Sequence, residues 1–372
     1  MEGKRVGVIG GGQLAWMMGA EAPKLGIELI VQADTPDEPA VSRAKQVVFA
    51  EVDDAEGTAQ LAGLCDVITF ENEFIDLPAL QKLTQAIIFR PSLNTLAPLL
   101  DKYDQRSFLQ NIGLPVPKFS LGLSKPAASY DFPVVLKARR HGYDGQGTFI
   151  VRDKQTLSEL SQRVPIAELL VEEFVPFKKE LAVIAARSAS GETVIYPVTE
   201  TFQKSQVCHW TITPADINED IAEQIKAIAR TILERLEVVG VFGIELFLTN
   251  ENRVLVNEIA PRTHNSGHYT LDACHTSQFA MQLRAVTDLP LGSTDLKSAG
   301  AVMINLLGFE ESNSEYLEKR DRISKIPQSF VHWYGKTSHP GRKLGHVTVL
   351  LDTRRLTQPQ SIINNIESIW YD

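Results

Sequence analysis

Two glutamates, Glu245 and Glu258, lie on either side of a predicted tight turn. The segments "GIELFL" and "RVLVNEIA" have the apolar patterning of strands, and "TNEN" between them is a turn sequence. We take the register from a pairing of Leu248 with Arg253. This register places Glu245 opposite Val256, with Glu258 as a diagonal neighbour on the same face. Neighbouring carboxylates repel unless a divalent cation bridges them, so the pattern predicts a Mg²⁺ site, with solvent-exposed acids as the alternative.

The segment that follows, "NEIAPRTHNSGH", is dense in hydrogen-bonding groups. It holds an acid, a guanidinium, two imidazoles and two amides directly after an apolar strand. The overall composition is that of a globular protein, so disorder does not explain this density. The segment is therefore a candidate binding loop.

A glycine-rich hairpin is predicted within "FPVVLKARRHGYDGQGTFIV". A strand ends at Lys137, the loop carries Gly142, Gly145 and Gly147, and a return strand begins at Thr148. A P-loop would need Gly-Lys-Ser/Thr at the start of a helix, and this stretch has none. A hairpin of this kind can fold over a polyphosphate while the lysine supplies positive charge. A surface hairpin without a ligand is the alternative.

The next segment, "LLVEEFVPFKKELAVIAAR", predicts a strand from Leu169 to Glu172, a short connection, and a strand from Glu180. A purine bound between two lobes commonly contacts such a connection. Glu180 could then accept hydrogen bonds from ribose hydroxyls, although a glutamate at the start of a strand is commonly just exposed.

The N-terminal segment predicts a strand-helix-strand unit. Gly10, Gly12 and Ala15 fit the fingerprint G-x-G-x-x-[GA], and Asp34 ends the second strand at the distance expected of a ribose-binding acid. This pattern permits a dinucleotide site, but any tight strand-to-helix turn favours glycine.

Two further stretches could contact a substrate. The apolar run "DVITF" is followed by "ENE", which places Glu71 and Glu73 at the carboxyl end of a strand, where open α/β sheets bind ligands. The C-terminal stretch "HWYGKTSHPGRKLGHV" supplies Lys336, Arg342 and Lys343 in a turn rich in glycine and proline. Solvated acids and a solvated basic turn are the alternatives.

Length and composition are those of a soluble globular protein. The chain has 372 residues, 44% of them hydrophobic and 22% charged, which is enough for two or three domains. A formal charge of −9 and a pI near 5.5 argue against a general nucleic-acid surface. The three cysteines lie far apart, and no apolar stretch that could be a signal peptide or a membrane span follows "MEGKR". We expect a reduced, cytoplasmic protein that binds neither nucleic acid nor membrane.

The order of these elements resembles the ATP-grasp superfamily. Within it, the chain is similar over its whole length to the N5-carboxyaminoimidazole ribonucleotide synthetase family of purine biosynthesis. The stretches that carry the resemblance are "GGGQL", "FENE", "HGYDGQG", "VEEFVPFKKEL", "NEIAPRTHNSGH", "SQFAMQLRAVTDLPLG" and "WYGKTSHPGRKLGHV". The resemblance implies an α/β and α+β fold: a Rossmann-like pre-ATP-grasp domain over residues 1–93, an ATP-grasp domain with a mobile glycine-loop subdomain over 94–290, and a small β-rich C-terminal domain over 291–372.

The resemblance also implies a reaction. A carbon-nitrogen ligase of this family uses ATP and bicarbonate to carboxylate 5-aminoimidazole ribonucleotide, and it releases ADP and phosphate. Bicarbonate would attack the γ-phosphate to form carboxyphosphate, which would carboxylate the exocyclic amine. Mg²⁺ as cofactor and a homodimer are implied as well.

The site residues carried over by the resemblance fall into four sets. The ATP-binding set is Lys102, Lys137, Gly142, Tyr143, Asp144, Gly145, Gln146, Gly147, Thr148, Glu172, Glu173, Phe174, Val175, Glu180, Gln203, Asn257 and Glu258. The substrate-binding set is Glu73, Tyr143, Lys336, Arg342 and Lys343. The metal ligands are Glu245 and Glu258, and the catalytic set is Asp144, Arg262 and His264.

Within these sets, the two lysines Lys102 and Lys137 would hold phosphates of ATP, and residues 172–175 would contact adenine. The resemblance also implies that the basic C-terminal loop binds the phosphate of the ribonucleotide, and Glu73 its ribose. Arg262 presents a planar fork that suits bicarbonate, and His264 can donate to the same anion. Asp144 could accept the proton of the attacking amine. For His268 and His275 we expect structural roles.

This chain departs from the family pattern at two places. The family usually has Glu-Asn-x-His after "YPV", whereas this chain has Glu200, Thr201, Phe202 and Gln203, and a glutamine cannot carry charge. The usual Gly-Arg after "GGGQL" is Ala15-Trp16. Any contacts made by the missing histidine and arginine are therefore in doubt.

Three alternatives stay open at the level of the sequence. The chain could be another ATP-grasp ligase or carboxylase, which acts on a different amine or acid. It could be an NAD-dependent dehydrogenase that uses "GGGQLA", although the late pair of acids would then have no role. It could also be a catalytically silent nucleotide sensor, as the altered "TETFQK" would allow.

Overall fold

The computed structural model describes residues 3–123, 131–140 and 147–372. A parallel sheet begins the chain, and its strands are β1 (Arg5–Ile9), β2 (Glu28–Ala33), β3 (Gln46–Phe49) and β4 (Val67–Phe70). They pair in the order β3-β2-β1-β4. The helices of this part are α1 (Gln13–Glu21), α2 (Ala55–Ala62), α3 (Leu77–Leu80) and α4 (Leu93–Leu96). The predicted strand-helix-strand unit is present as β1-α1-β2.

A smaller antiparallel sheet follows the helix α5 (Lys102–Asn111). Its strands are β5 (Phe119–Leu121), β6 (Val134–Lys137), β7 (Thr148–Val151) and β8 (Leu170–Glu173), which pair in the order β5-β8-β6-β7. The helix α6 (Lys154–Ser161) buries Leu157 in the core of this sheet. The strand that ends at Lys137 and the return strand from Thr148 lie where the sequence predicts them.

The largest sheet is antiparallel. Its strands are β9 (Phe177–Arg187), β10 (Thr193–Ile195), β11 (Thr199–Lys204), β12 (Val207–Thr213), β13 (Gly240–Thr249), β14 (Val254–Ala260), β15 (Gly300–Leu307), β16 (Ser329–Trp333) and β17 (Lys343–Leu351). They pair in the order β14-β13-β9-β11-β12-β15-β17-β16, and β10 pairs with β9.

The predicted β-rich C-terminal part is present, and its strands extend this central sheet. β12 pairs with β15 from Trp210 opposite Ile304 to Thr213 opposite Ala301. A continuous ladder of backbone hydrogen bonds therefore joins the C-terminal strands to the strands that carry the two glutamates. The domain boundaries near residues 93 and 290 stay a prediction.

Five further helices lie against the sheets. They are α7 (Glu219–Arg235), α8 (Thr270–Ala273), α9 (Gln278–Val286), α10 (Leu317–Ser324) and α11 (Pro359–Tyr371). In α7 the side chain of Asn218 caps the first turn, and the buried Ile221, Ile225, Ile228 and Ile232 recur at helical spacing on one face. No described helix has both the length and the apolar character needed to cross a membrane.

Helix α9 is buried on nearly every side. Phe279 and Leu283 pack into the core of the N-terminal sheet, whereas Met281 packs with Ile184 and Val241 of the central sheet. The helix is thus a shared wall between the two parts, and polar groups on it must find partners inside the protein.

The C-terminal helix α11 is fixed to the central sheet by Trp370. This side chain is 1% exposed, and its indole N–H donates to the carbonyl oxygen of Leu307 at 2.8 Å. We predict that Trp370→Ala lowers the free energy of unfolding by about 3–5 kcal/mol, because it leaves a large cavity. Urea denaturation followed by circular dichroism measures this. Tyr371→Ala is the control, since Tyr371 is 42% exposed; an equal effect of both changes would contradict the packing role.

Candidate active site

The hairpin of β13 and β14 contains a β-bulge between the two glutamates. Leu248 pairs with Val254, and Glu245 pairs directly with Glu258. The register shift between these pairs leaves Asn257 as the additional residue of the longer strand. The two carboxylates are therefore direct cross-strand neighbours on one face of the sheet.

The predicted register is wrong. We expected Leu248 to pair with Arg253 and Glu245 to lie opposite Val256. The turn takes one residue more than predicted, and the bulge adds another. A shift of one residue would place the Glu258 side chain on the face opposite to that of Glu245. Two such shifts return it to the same face. The predicted shared face of Glu245 and Glu258 thus survives the error.

Two lysines hold this carboxylate pair. Lys102, the first residue of α5, donates from Nζ to both carboxylate oxygens of Glu258, at 2.7 and 2.8 Å. The side-chain amide of Asn257 donates to Glu245 at 3.2 Å, and its oxygen accepts from Lys137 Nζ at 3.1 Å. The structure therefore brings together the predicted phosphate-binding lysines and the predicted metal ligands.

A buried network of charges lies beneath them. Glu172 of β8 accepts from Arg106 Nε at 2.6 Å and lies 2.7 Å from Lys137 Nζ. Arg106 also donates to the carbonyl oxygens of Val256 and Asn257 at 2.7 and 2.8 Å. Burial alone would raise the pKa of Glu172, but Lys137 and Arg106 outweigh it and hold this pKa below its usual value.

Arg106 is a site residue that sequence reasoning missed. It lies inside α5, a helix without a recognisable motif, and its partner Glu172 is 66 residues away. Since the Glu172 carboxylate is engaged by these two cations, an adenine in the predicted position would meet backbone groups of this strand and not this carboxylate.

The three acidic groups nearest the site are not equivalent. Burial and the neighbouring Glu258 raise the pKa of Glu245 to about 7. Burial and the charge of Glu245 likewise raise the pKa of Glu180 to about 7. Burial would also raise the pKa of Glu258, but Lys102 and Lys137 outweigh it and lower this pKa. Negative charge is thus in excess around Glu245, and a bound cation would relieve it.

The connection between the lobes lies between β8, which ends at Glu173, and β9, which begins at Phe177. The predicted adenine contacts Phe174 and Val175 fall in this connection. Glu180 lies in β9 opposite Thr201 of β11, and the backbone N–H of Gln203 opposes the rise of its pKa that burial and Glu245 cause. The changed "TETFQK" strand therefore acts on this glutamate through its backbone, which a residue of any type can supply.

Arg262 and His264 approach the site from the loop after β14. Arg262 makes a two-point ion pair with Glu73, at 2.7 and 3.2 Å. His264 Nε2 lies 3.6 Å from a carboxylate oxygen of Glu245, and its Nδ1 lies 2.9 Å from Ser266 Oγ. The structure thus connects the two predicted bicarbonate residues to other predicted site residues. Arg262 contacts Glu73, which is predicted to bind the ribonucleotide, and His264 contacts Glu245, a predicted metal ligand.

A cleft lies beside these groups. Its lining includes Glu73, Lys102, Arg139, Arg140 and Glu258. Arg139 donates from Nε to Asp101 at 2.7 Å. Sequence reasoning missed both arginines, although the run "KARR" at the end of β6 was a visible signal of positive charge.

The N-terminal glycine loop carries a carboxylate in the position where a dinucleotide would place phosphate. Glu71 accepts the backbone N–H groups of Gly12 at 2.7 Å and Leu14 at 3.0 Å, at the start of α1. Glu71 is 9% exposed, so it occupies the N-terminus of this helix from inside the protein. This arrangement argues against the dehydrogenase alternative. Asp34, the acid that a dinucleotide site would use for ribose, is exposed.

The basic C-terminal loop contacts the same glycine loop. Lys336 Nζ donates to the side-chain oxygen of Gln13, the first residue of α1, at 2.8 Å. Arg342 donates to the carbonyl oxygen of Thr337 at 3.1 Å, and Lys343 begins β17. The predicted phosphate-binding loop therefore faces the N-terminal domain.

The replacement of arginine by Trp16 has a local explanation. The Trp16 ring packs edge-on against Tyr334 with 6.2 Å between centroids, and the guanidinium of Arg43 lies 3.6 Å over the same ring. Arg43 thus brings a positive charge next to the position where the family usually carries one.

Part of the predicted ATP lid lies outside the described residues. These predictions concern Gly142, Tyr143, Asp144, Gly145 and Gln146. Gly147 has φ +75°, a conformation that favours glycine, and Thr148 pairs with Lys137.

Asp272, His332 and His346 are the described residues that most resemble a separate metal-ligand set, since their ligand atoms lie within 4.8 Å of one another. The two rings are stacked with 4.5 Å between centroids and 12° between planes. Nitrogen lone pairs lie in the ring plane, so stacked rings do not aim at one ion. His332 instead hydrogen-bonds Asp272 at 2.8 Å. We therefore assign a packing role to this group. The fully buried His268 has the same role, and burial holds its pKa well below the usual value.

Comparison with known proteins agrees with this geometry. Three family profiles match the chain in order: the ribonucleotide synthetase preATP-grasp domain over residues 3–98, the ATP-grasp domain over 107–279, and the phosphoribosylaminoimidazole carboxylase C-terminal domain over 301–360. The N5-carboxyaminoimidazole ribonucleotide synthase of Synechocystis sp. is 54% identical over 98% of this chain and 98% of its own length.

Solved structures give the same result for the fold. N5-carboxyaminoimidazole ribonucleotide synthetase from Thermotoga maritima is 40% identical with a TM-score of 0.86, over 98% of each chain. N5-carboxyaminoimidazole synthase from Aspergillus clavatus, solved with ADP and 5-aminoimidazole ribonucleotide, is 30% identical with a TM-score of 0.89, over 100% of this chain and 99% of that one. With identity and coverage this high along its whole length, the chain belongs to the N5-carboxyaminoimidazole ribonucleotide synthase family of ATP-grasp proteins.

Proposed function

We propose that this chain is an ATP-dependent carbon-nitrogen ligase that carboxylates 5-aminoimidazole ribonucleotide to N5-carboxyaminoimidazole ribonucleotide in purine biosynthesis. The observation that carries the proposal is the direct pairing of Glu245 with Glu258 beside two lysines, with Glu258 and Lys102 lining the same cleft as Glu73. The 54% identical Synechocystis relative carries the same named activity.

The donor set at Glu245 and Glu258 fits Mg²⁺. The metal prefers carboxylate oxygens, and burial together with the charge of Glu258 raises the pKa of Glu245, an effect that a bound cation would oppose. When bound, Mg²⁺ would neutralise phosphate charge between ATP and the enzyme. Lys102 and Lys137 would bind phosphate oxygens, since they already contact the same carboxylate cluster.

The reaction proceeds in two balanced steps. A bicarbonate oxygen attacks the γ-phosphorus, the bond from this phosphorus to the bridging oxygen of ADP breaks, and carboxyphosphate forms with ADP. The exocyclic amine then attacks the carboxyl carbon, phosphate leaves, and the amine loses a proton. Arg262 and His264 would bind the oxyanion, and the closed cleft would keep water from the intermediate. Asp144, outside the described residues, stays our predicted proton acceptor.

The ribonucleotide would lie between the N-terminal domain and the C-terminal loop. Glu73 lines the cleft and would accept from the ribose, while Lys336, Arg342 and Lys343 would bind the phosphate. The contact between Lys336 and Gln13 supports this arrangement, because it places a positive charge at the glycine loop. A homodimer and a cytoplasmic location stay predictions from the family resemblance.

Steady-state release of ADP tests the proposal. We expect turnover with ATP and Mg²⁺ that depends on both bicarbonate and 5-aminoimidazole ribonucleotide, with one N5-carboxylated product for each ADP. A different ATP-grasp ligase would release ADP with another amine or acid, and a nucleotide sensor would bind ATP without turnover.

The carboxylate pair makes the first functional prediction. Glu258→Gln should lower kcat by about a hundredfold or more, because it removes a metal ligand and the partner of Lys102. ADP release at saturating Mg²⁺ measures this, and circular dichroism verifies that the variant folds. Glu251→Gln, an exposed position in the turn of the same hairpin, is the matched control. Near-normal activity of Glu258→Gln would remove this residue from the metal site.

The raised pKa of Glu245 makes a prediction about pH and stability. A glutamate with a pKa near 4.5 when unfolded and about 7 when folded favours folding only while it is protonated. This contribution is complete below pH 4.5 and is lost as the pH rises through 7. Without Mg²⁺ and nucleotide, Glu245→Gln should therefore raise the Tm at pH 8 and change it little at pH 5.

Glu172→Gln is the matched control with the opposite sign. The pKa of Glu172 is lowered in the folded protein, so its charge stabilises the fold above the unfolded pKa. Its loss leaves Lys137 and Arg106 without their shared partner and should cost about 3–5 kcal/mol at pH 8. Thermal denaturation of both variants at pH 5 and pH 8 tests the pair. A lower Tm of Glu245→Gln at pH 8 would contradict the assigned electrostatics.

The C-terminal loop makes a prediction about substrate affinity. Lys336→Ala should raise the KM for 5-aminoimidazole ribonucleotide by about one to two orders of magnitude, because it removes the binding free energy of one charge-assisted hydrogen bond. The KM for ATP should hardly change. Lys325→Ala, a surface lysine that pairs with Asp321, is the control. An equal rise in both KM values would show that Lys336 supports the fold and does not bind the ribonucleotide.

A further inference from the structure

Helix α9 carries two fully buried glutamines one turn apart, Gln278 and Gln282, which are 0% and 1% exposed. Gln282 joins the two parts of the protein that α9 separates. Its oxygen accepts the backbone N–H of Val241 at 2.6 Å, and its nitrogen donates to Thr69 Oγ1 at 2.7 Å. These bonds give the Gln282 side-chain oxygen and nitrogen each a partner, and neither bond goes to the loop after β14 that carries His264.

Gln278 instead pairs with the backbone of His264 in both directions. Its side-chain oxygen accepts the His264 N–H at 2.9 Å, and its side-chain nitrogen donates to the His264 carbonyl oxygen at 2.7 Å. The same nitrogen lies 3.3 Å from Nδ1 of His268. One side-chain amide thus takes the place of a neighbouring strand for a single residue of the loop.

The loop is built around this amide. A Cβ on Gly267 would lie 2.7 Å from the Gln278 side-chain oxygen, so a larger residue there would displace it. The backbone N–H of Gln278 donates to Thr270 Oγ1 at 2.9 Å, which fixes the start of the helix against the end of the loop. The backbone N–H of Gln278 and its side-chain amide are thereby both held in place.

The two hydrogen bonds to Gln278 restrict φ and ψ of His264, and they therefore fix the position of the backbone from which its ring extends. That ring lies 3.6 Å from Glu245 and hydrogen-bonds Ser266. To move this stretch of backbone, the protein would have to break two buried hydrogen bonds and leave buried polar groups without partners, which is costly in a dry interior.

We propose that Gln278 is a positioning residue for the oxyanion site, since it holds His264 where its ring can donate to bicarbonate and carboxyphosphate. The inference rests on the proposed function. Gln278 acts through the His264 backbone, and its effect is therefore expected on the bicarbonate step and not on the binding of ATP or ribonucleotide.

The test compares Gln278→Leu with Gln282→Leu in the full-length protein. Gln278→Leu should raise the KM for bicarbonate by about tenfold or more and lower the product formed per ADP, because a small displacement of a reacting group is costly. Its KM values for ATP and 5-aminoimidazole ribonucleotide should stay close to those of the wild type. Gln282→Leu loses a similar buried amide pair on the same helix and should leave the KM for bicarbonate unchanged.

Gln278→Glu adds a readout that a purely structural role would not give. The titratable side chains against this position are His264 and His268, and burial keeps His268 neutral. A protonated carboxyl group can make both bonds to His264, whereas a carboxylate would face the His264 carbonyl oxygen with a second acceptor. Burial should raise the pKa of the introduced group well above its usual value.

The kcat/KM for bicarbonate of Gln278→Glu, relative to the wild type, should therefore approach one toward pH 6 and fall toward pH 9. A ratio that does not change with pH, or an unchanged KM for bicarbonate in Gln278→Leu, would overturn the positioning role while the proposed function stands. Wild-type turnover that does not depend on bicarbonate would overturn the proposed function, and the positioning role with it. If Gln278→Leu does not fold, Gln278→Glu decides the matter alone.

Discussion

The pairing of Arg106 with Glu172 and with two carbonyl oxygens of β14 is the interaction on which the rest of the site depends. β14 stands at the end of the strand order, and the Arg106 guanidinium donates to the backbone carbonyl oxygens of Val256 and Asn257 beside the bulge. Such a cation can be buried only if a carboxylate neutralises it, and Glu172 does so. Glu172 in turn holds Lys137. One helix, two sheets and the bulged hairpin are thereby fixed relative to one another.

The consequence is an uneven distribution of charge around the two facing glutamates. Lys102 pairs with Glu258 and lowers its pKa, whereas burial and the charge of Glu258 raise the pKa of Glu245 to about 7. Two carboxylates that differ in pKa therefore face each other across the hairpin. A cation and a polyphosphate together would complete this charge arrangement, which explains why a protein retains a locally unfavourable cluster in a buried place.

The sequence predicted the features that depend on neighbours along the chain. The strand-helix-strand unit, the strands around the glycine loop and the shared face of Glu245 and Glu258 all follow from local patterns. It did not predict features made by distant residues. The bulge at Asn257 is contacted by Arg106 from another element, and the continuity of β12 with β15 depends on partners about 90 residues apart, as with Trp210 and Ile304. The family resemblance supplied the site residues, and it could not foresee how Trp16 and Arg43 would pack.

The N-terminal glycine fingerprint shows why a motif and its ligand must be separated. Glycines at this turn leave backbone N–H groups exposed at the start of α1, and these groups require a negative partner. A dinucleotide phosphate is one such partner, but the carboxylate of Glu71 meets the same need, 59 residues further along the chain. The physical demand that the motif expresses is therefore satisfied inside the protein. Glu71 occupies that position, and Gln13 of the glycine loop contacts Lys336 of the C-terminal loop. The same turn therefore forms part of the contact between the N-terminal and C-terminal parts of the protein.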